Sequence, residues 1–225
     1  MLFDIDGTLV TGPERGPSAG VLSMNKAAFE VTGVEIQGDP RRFAGRTDTQ
    51  IARMLIEDAG TVTPDERDVT DLVARYVANL AVFVDRAPYS ALGDPQTVIP
   101  TLERGGAIIG LGTGNVREGA NIKLRTANIL ELFDLDRGGF GDDGFTRADV
   151  LSVGVSRCDP NGTAPVVIVG DTPRDIEAAH EIGAPCIATP YRGNTADILT
   201  AAGADLVVPG IGPELVEAVW ELAGR

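Results

Sequence analysis

The stretch Val166-Val167-Ile168-Val169-Gly170-Asp171-Thr172-Pro173-Arg174-Asp175 decides the fold. It is an apolar, β-branched run that stops at a glycine and an acid, with a helical pattern from Arg174 to Ile182 directly behind it. The same order of events recurs on both sides. Ala107–Leu111 is an apolar run that breaks at Thr113-Gly114-Asn115 and leads into a helical stretch from about Val116 to Leu130. Leu2–Ile5 is a short run ending at Asp6-Gly7, and Pro185–Ala188 and Leu206–Val208 read as further strands. A shorter strand is expected near Gly139–Phe140, and helices over Pro95–Arg104, Ala148–Arg157, Ala196–Ala202 and Pro213–Leu222. Near-continuous apolar strands alternating with helices predict an α/β core, a doubly wound parallel sheet covered on both faces.

Between the first strand and the second lie roughly a hundred residues, far more than one right-handed crossover needs. They carry three helical patterns, about Ala19–Val31, Asp48–Ala59 and Pro64–Val84, the last opened by Pro64-Asp65-Glu66. Tyr89–Asp94 reads as a hinge or loop. The expected division is a core of residues 1–12 and 90–225 with a helical cap inserted over 13–89.

Composition narrows the function classes. The chain has 225 residues, 19 basic and 33 acidic, for a net charge of −14. Hydrophobic residues at 43% are enough for a core and exclude general disorder. No apolar run approaches the ~20 residues of a membrane span. The acidity argues against nucleic acid and anionic membrane as partners, and it favours solubility. Cys158 and Cys186 do not make a disulfide framework. Met1-Leu2-Phe3-Asp4 lacks the basic start and apolar stretch of a signal peptide, so a cytoplasmic location is expected.

In open parallel sheets, ligands bind at the carboxyl ends of the strands. Three strand ends here carry unusual polar residues: Asp4-Ile5-Asp6-Gly7-Thr8, Thr113-Gly114-Asn115 and Gly170-Asp171 through Asp175. Side by side, they would gather four carboxylates and a hydroxyl. Crowded carboxylates repel one another unless a cation joins them, and hard oxygen donors point to Mg²⁺. An EF-hand reading of the first segment fails, because its twelfth position holds Arg15. A dinucleotide reading of Gly110, Gly112 and Gly114 also fails, because the spacing is GxGxG and not GxGxxG.

These residues resemble the motifs of the haloacid dehalogenase superfamily of phosphohydrolases. The strand-DxDGT motif is matched by Phe3-Asp4-Ile5-Asp6-Gly7-Thr8-Leu9, the strand ending in Thr by Ile109 through Asn115, and GDxxxD by Gly170-Asp171 and Asp175. The inserted segment, with Gly45-Arg46-Thr47-Asp48, resembles the C1 helical cap of phosphoglycolate-phosphatase-like members. The resemblance implies a Rossmann-like core and a Mg²⁺-dependent phosphatase. Asp4 would be the nucleophile that forms an aspartyl-phosphate. Asp6, two residues on and facing the same way while the chain stays extended, would be general acid and then base, its carbonyl on the metal. Asp171 would be the second side-chain ligand, with Asp175 supporting it through water or an outer contact. Thr113, Gly114 and Asn115 would bind the phosphoryl group at a helix start.

The third motif departs from the family pattern, since no Lys-Pro precedes the helix before strand four. Arg147, just ahead of that helix, is the favoured cation. Lys123 is the rival, held back because it lies about eight residues into its helix and so roughly 12 Å from the anion-binding end. Arg41, Arg42 and Arg46 precede the second long cap helix, and Arg46 is expected to set specificity by pairing with a second anionic group on a small phosphorylated metabolite. Lacking the second aspartate, dehalogenases and phosphonatases are disfavoured as models. A sugar phosphomutase, or a catalytically silent binding or regulatory protein of the same fold, stands as the alternative, and the protein is expected as a monomer or homodimer.

Overall fold

Phe3, Leu111, Val169 and Ile187 have no solvent exposure, as befits strands with helices on both faces. The chain is described by a computed structural model over residues 1–36, 38–60 and 63–224. Its strands are β1 (Leu2–Phe3), β2 (Val10–Thr11), β3 (Ser90–Ala91), β4 (Gly110–Leu111), β5 (Ile168–Gly170), β6 (Cys186–Ala188) and β7 (Leu206–Val207). Five of them form a parallel sheet in the order β4-β1-β5-β6-β7. Around it stand α5 (Pro95–Arg104), α6 (Arg117–Thr126), α7 (Arg147–Cys158), α8 (Pro173–Glu181), α9 (Ala196–Ala201) and α10 (Pro213–Leu222). The remaining helices, α1 (Ala19–Thr32), α2 (Pro40–Phe43), α3 (Asp48–Ala59) and α4 (Glu66–Phe83), lie between β2 and β3. No helix of the described residues is long and apolar enough to cross a membrane.

The register of the central strand creates the site. Phe3 pairs with Leu111 on one side and Val169 on the other, so Asp4 emerges between the ends of β4 and β5. Its N–H donates to the Val169 carbonyl at 2.8 Å, while the Phe3 carbonyl accepts from Gly112 N–H at 2.8 Å. All three polar strand ends therefore meet at one edge.

Several elements differ from the sequence expectation. Tyr89–Asp94 contains β3, which pairs antiparallel with β2 and ties the two chain crossings into a short ribbon. The helix expected to run to Leu130 ends at Thr126, because Asn128 takes a left-handed conformation at φ 57° and breaks it. The strand near Gly139–Phe140 is reduced to one bridge, Gly112 to Gly139. The long inserted helix expected from Pro64 starts at Glu66, with Asp65 as its N-cap, because the Asp65 carboxylate accepts from the N–H groups of Arg67 and Asp68.

Helix α1 lies along α4, fastened by a Lys26 Nζ to Asn79 Oδ1 bond of 2.6 Å. The helical insertion then meets the core through its 44–48 segment. Asp48 N–H donates to the Gly114 carbonyl at 2.8 Å, and the Asp48 carboxylate accepts the Val116 N–H at 2.9 Å. This two-bond clamp needs glycine at 114, where a Cβ would sit 2.1 Å from the Arg46 carbonyl oxygen. Arg174 of α8 adds a 2.7 Å bond to the Ala44 carbonyl.

The clamp has an electrostatic cost. Burial raises the Asp48 carboxyl from its ordinary 3.8 to about 6, against the opposing pull of Lys123. A carboxyl that is harder to ionise folded than unfolded loses stability as pH rises from about 4 to about 6, by at most about 3 kcal/mol, and the loss is constant above that. Asp48→Asn keeps an acceptor for Val116 and removes the charge. The difference in urea-unfolding free energy between about pH 4.5 and pH 7.5, measured in EDTA, is expected to shift towards greater stability at the higher pH in the variant. An unchanged difference would show that Asp48 ionises as freely in the fold as outside it.

Candidate active site

Asp4 is buried at the end of β1, and one of its oxygens, Oδ1, accepts from Arg147 Nη2 at 2.6 Å. The same nitrogen donates to Asp175 Oδ1 at 2.5 Å. Arg147 can do both because it is the first residue of α7, whose Thr146/Asp149 capping box directs the helix start at the strand ends. Asp175 is occupied on its other side as well. Its Oδ2 accepts from the N–H and hydroxyl of Thr172, at 3.0 and 2.7 Å, closing the capping box of α8.

Asp171 stands in contrast, since its Oδ1 is buried without a hydrogen-bond partner among the described residues. Asp4, Asp171 and Asp175 each offer an oxygen within 4.8 Å of the others. Burial first, then the neighbouring carboxylates, raise the Asp171 carboxyl well above its ordinary range. Burial also raises Asp4 to about 6, with Arg147 pulling it down and Asp175 pushing it up. Three buried carboxylates share one guanidinium, so the cluster carries more negative charge than its protein partners offset. Oxygen donors, excess negative charge and an orphaned carboxylate oxygen fit a divalent cation such as Mg²⁺. Asp171 keeps an oxygen, and Asp4 keeps capacity at both of its own, whereas both oxygens of Asp175 already accept from Arg147 and Thr172.

Asp6 projects differently from Asp4. Its Oδ2 accepts from Lys123 Nζ at 2.6 Å and from Asn115 Nδ2 at 2.7 Å, while its Oδ1 has no partner among the described residues. Gly7 turns the chain out of the strand at φ 85°, and a Cβ there would lie 2.4 Å from Asp171 Oδ2, so only glycine lets the first and last motifs touch. Thr113 is fully buried, and its hydroxyl oxygen accepts from the Asn115 side-chain amide at 2.8 Å. Gly114 lines the same cavity, and its N–H has no partner among the described residues.

Lys123 overturns the spacing argument that held it away. Its side chain is buried against Asp6 and Asn115, because the site runs along the flank of α6 and not only past its N-terminus. Burial alone would depress its pKa, but Asp6, Tyr76, Tyr89 and Asp48 outweigh that and hold it well above the ordinary value. Its ammonium also sits 5.4 Å from the centre of the Tyr89 ring. Both rival cations therefore reach the site, Arg147 at Asp4 and Lys123 at Asp6.

The cavity measures about 700 Å³ and runs from these residues to side chains of the inserted helices α1, α3 and α4. Arg46 lines it, with its Nε donating to the Arg42 carbonyl at 3.0 Å. Burial and the neighbouring Arg174 and Arg42 lower its pKa. Arg42 is engaged by Asp58, whereas Arg46 has no carboxylate partner among the described residues. The Arg41 side chain lies outside what is described. Sequence reasoning missed Asp48, Tyr76 and Tyr89 as cavity residues. Asp48 was visible within the Gly45–Asp48 segment and as an acid at a helix start, a place such residues occupy for local reasons, but neither marks it as a cavity residue.

The family model of haloacid dehalogenase-like hydrolases matches residues 1–189. The chain belongs to that family. Among solved structures it is similar to CbbY from Rhodobacter sphaeroides in complex with phosphate, at 17% identity, 94% coverage of each chain and a TM-score of 0.73. It is also similar to a predicted phosphatase from Clostridium acetobutylicum, at 19% identity, covering 98% of this chain and 97% of that one, with a TM-score of 0.71. A family IA, variant 3 hydrolase from Entamoeba histolytica gives 17% identity, 100% and 98% coverage, and a TM-score of 0.76. At these identities the likeness is one of fold. Comparison with curated proteins finds no match.

Removing the guanidinium tests the charge balance directly. Arg147→Met leaves Asp4 and Asp175 buried without their cation, and breaking a buried pair in this way costs about 3–5 kcal/mol. In EDTA near neutral pH, urea unfolding is expected to show that loss. It is expected to shrink towards pH 5, where Asp4 takes up a proton. A loss under about 1 kcal/mol at neutral pH would mean that the carboxylates are already protonated or solvated.

Proposed function

We propose that this haloacid dehalogenase-like hydrolase is a Mg²⁺-dependent phosphatase that cleaves a small phosphomonoester through an aspartyl-phosphate on Asp4. One observation carries the reading. Each of the two aspartates of the first motif is held by a cation through one oxygen and has the other oxygen without a partner among the described residues. Asp4 then has a free oxygen for attack on phosphorus, and Asp6 a free oxygen for proton transfer.

In the first step the Asp4 oxygen bonds to phosphorus as the bond from phosphorus to the leaving oxygen breaks. Asp6 gives its proton to that leaving oxygen. In the second step Asp6 takes a proton from water as the water oxygen bonds to phosphorus and the Asp4–phosphorus bond breaks. Arg147 holds Asp4 in position, and the Thr113 hydroxyl and Gly114 N–H are the donors for the phosphoryl oxygens. Asp171, the Asp6 carbonyl and Asp4 would hold Mg²⁺, Asp4 through the second lone pair of the Oδ1 that Arg147 contacts, so that its other oxygen stays open for attack. The ion would supply charge neutralisation at the phosphoryl group. Arg46, without a carboxylate partner among the described residues, suits a second anion on the substrate, and phosphoglycolate is the simplest molecule of that kind. The phosphate-bound CbbY structure is in keeping with phosphoryl chemistry on this fold.

Phosphate release from an aryl phosphate is expected with Mg²⁺ and not in EDTA. Asp4→Asn should abolish turnover and any phosphoenzyme, and Asp6→Asn should slow release by about 10²–10⁴-fold. Near-native turnover in Asp4→Asn would remove the covalent route, and phosphate that migrates within the substrate without being freed would make the protein a mutase.

Specificity gives a separate test. The ratio of kcat/KM for phosphoglycolate to that for a neutral alkyl phosphate should fall about tenfold or more in Arg46→Ala. An unchanged ratio would show that Arg46 does not meet the substrate.

A further inference from the structure

The cavity has two chemically distinct ends. At the strand ends it is lined by carboxylates, Thr113 and Arg147. Towards the helical insertion the lining becomes Val21 and Met24 of α1, Phe43 of α2, Ile51 of α3 and Tyr76 of α4. Each of the four cap helices thus contributes an apolar or aromatic side chain. Two of the polar side chains among them are already engaged, Ser18 accepting the Val21 N–H at its helix start and Asp48 accepting the Val116 N–H, and the Tyr76 hydroxyl is a polar group left facing the chamber. Between the two ends lies a collar of Asp6, Asn115, Lys123 and Tyr89. Tyr89 is itself fixed by accepting the Gly20 N–H at 3.0 Å.

Resting on the phosphatase reading, we propose that the leaving group of the substrate carries an alkyl or aryl body that fills this apolar chamber. The collar fixes where the parts must lie. A phosphoryl group on Asp4 puts its leaving oxygen beside Asp6, so whatever is bonded to that oxygen enters the chamber lined by Met24, Ile51 and Tyr76. A volume of about 700 Å³ falls within the roughly 300–1,000 Å³ range of sites for organic ligands. Glycolate alone would leave most of the chamber to water against apolar walls, a state that hydrocarbon displaces favourably. An anion at Arg46 is compatible with such a body, because Arg46 lies on the segment before α3 and the apolar side chains come from the helices themselves.

The test separates the chamber from the chemistry. Binding of straight-chain alkylphosphonates, from methyl to octyl, is measured by calorimetry with Mg²⁺, alongside phosphate release from the matching alkyl phosphates. Affinity is expected to rise by up to about fourfold per added methylene and then level off as the chamber fills. Met24→Gln, which keeps the length of the side chain and adds a polar end, should flatten that rise. If affinity rises with chain length but no ester releases phosphate, the chamber stands and the phosphatase reading fails. If methyl and hexyl phosphate are cleaved alike and affinity is flat, the phosphatase reading stands and the chamber proposal is overturned. If no phosphonate binds and no ester is cleaved, both fall.

Discussion

Three buried carboxylates facing a single guanidinium set the conditions that the surrounding structure meets. Asp4, Asp171 and Asp175 come together because β1 lies between β4 and β5, so the strand register alone delivers two of the three polar strand ends to Asp4. Glycines at 7 and 170 then allow the approach, since a Cβ at 170 would stand 2.5 Å from the Asp175 side chain. Arg147 arrives from a helix start on the same edge. Like charges in a low-dielectric site raise one another's pKa, and one cation does not settle three anions. The arrangement costs stability and leaves a place where a further cation is favourable.

The helical insertion is coupled to that centre by contacts at both its ends. Its chain enters and leaves through the β2–β3 ribbon, and Thr11 of that ribbon shares a 2.6 Å hydrogen bond with the Tyr191 hydroxyl. Its middle is clamped at Gly114 and Val116 by Asp48. Lys123 stands where these meet, touching Asp6 and Asn115 and facing the Tyr89 ring next to the ribbon. A movement of the insertion away from the core would separate Asp48 from Val116 and disturb the neighbours of Lys123. The position of the helices and the surroundings of Asp6 are thus linked through packed groups.

The parts legible in the sequence are those written in local pattern. Val166–Val169 announced a buried strand because β-branched residues without alternation suit a sheet covered twice. Asp4, Thr113 and Asp171 stood out because polar residues at the ends of such runs have no packing reason to be there. The ribbon was invisible, because two-residue strands carry no periodicity, and Tyr89–Asp94 read as a loop. Asn128 is one residue whose left-handed backbone ends a helix that propensity would extend. Asp48 and Lys123 needed tertiary structure. Thr47-Asp48-Thr49-Gln50 is a complete capping box on local grounds, and nothing local says that its acid reaches 68 residues ahead to Val116. Lys123 was displaced by an axial distance that took the site to lie beyond the helix, when it lies alongside.

The two cations suit their positions for different reasons. At 147 one guanidinium nitrogen bridges Asp4 and Asp175 and stays charged whatever the carboxylates do, so Asp4 keeps its partner through changes in its own charge. At 123 an ammonium with three separately directed donors reaches Asp6 and Asn115 while presenting its charge to the Tyr89 ring, a spread that a flat fork would not match. Each cation binds its aspartate through one oxygen only. That asymmetry makes the pair chemically useful, because a carboxylate held at both oxygens is oriented but has none left to react. Placing Arg147 at Asp4 and Lys123 at Asp6 orients both acids and, among the described residues, leaves one oxygen of each without a donor.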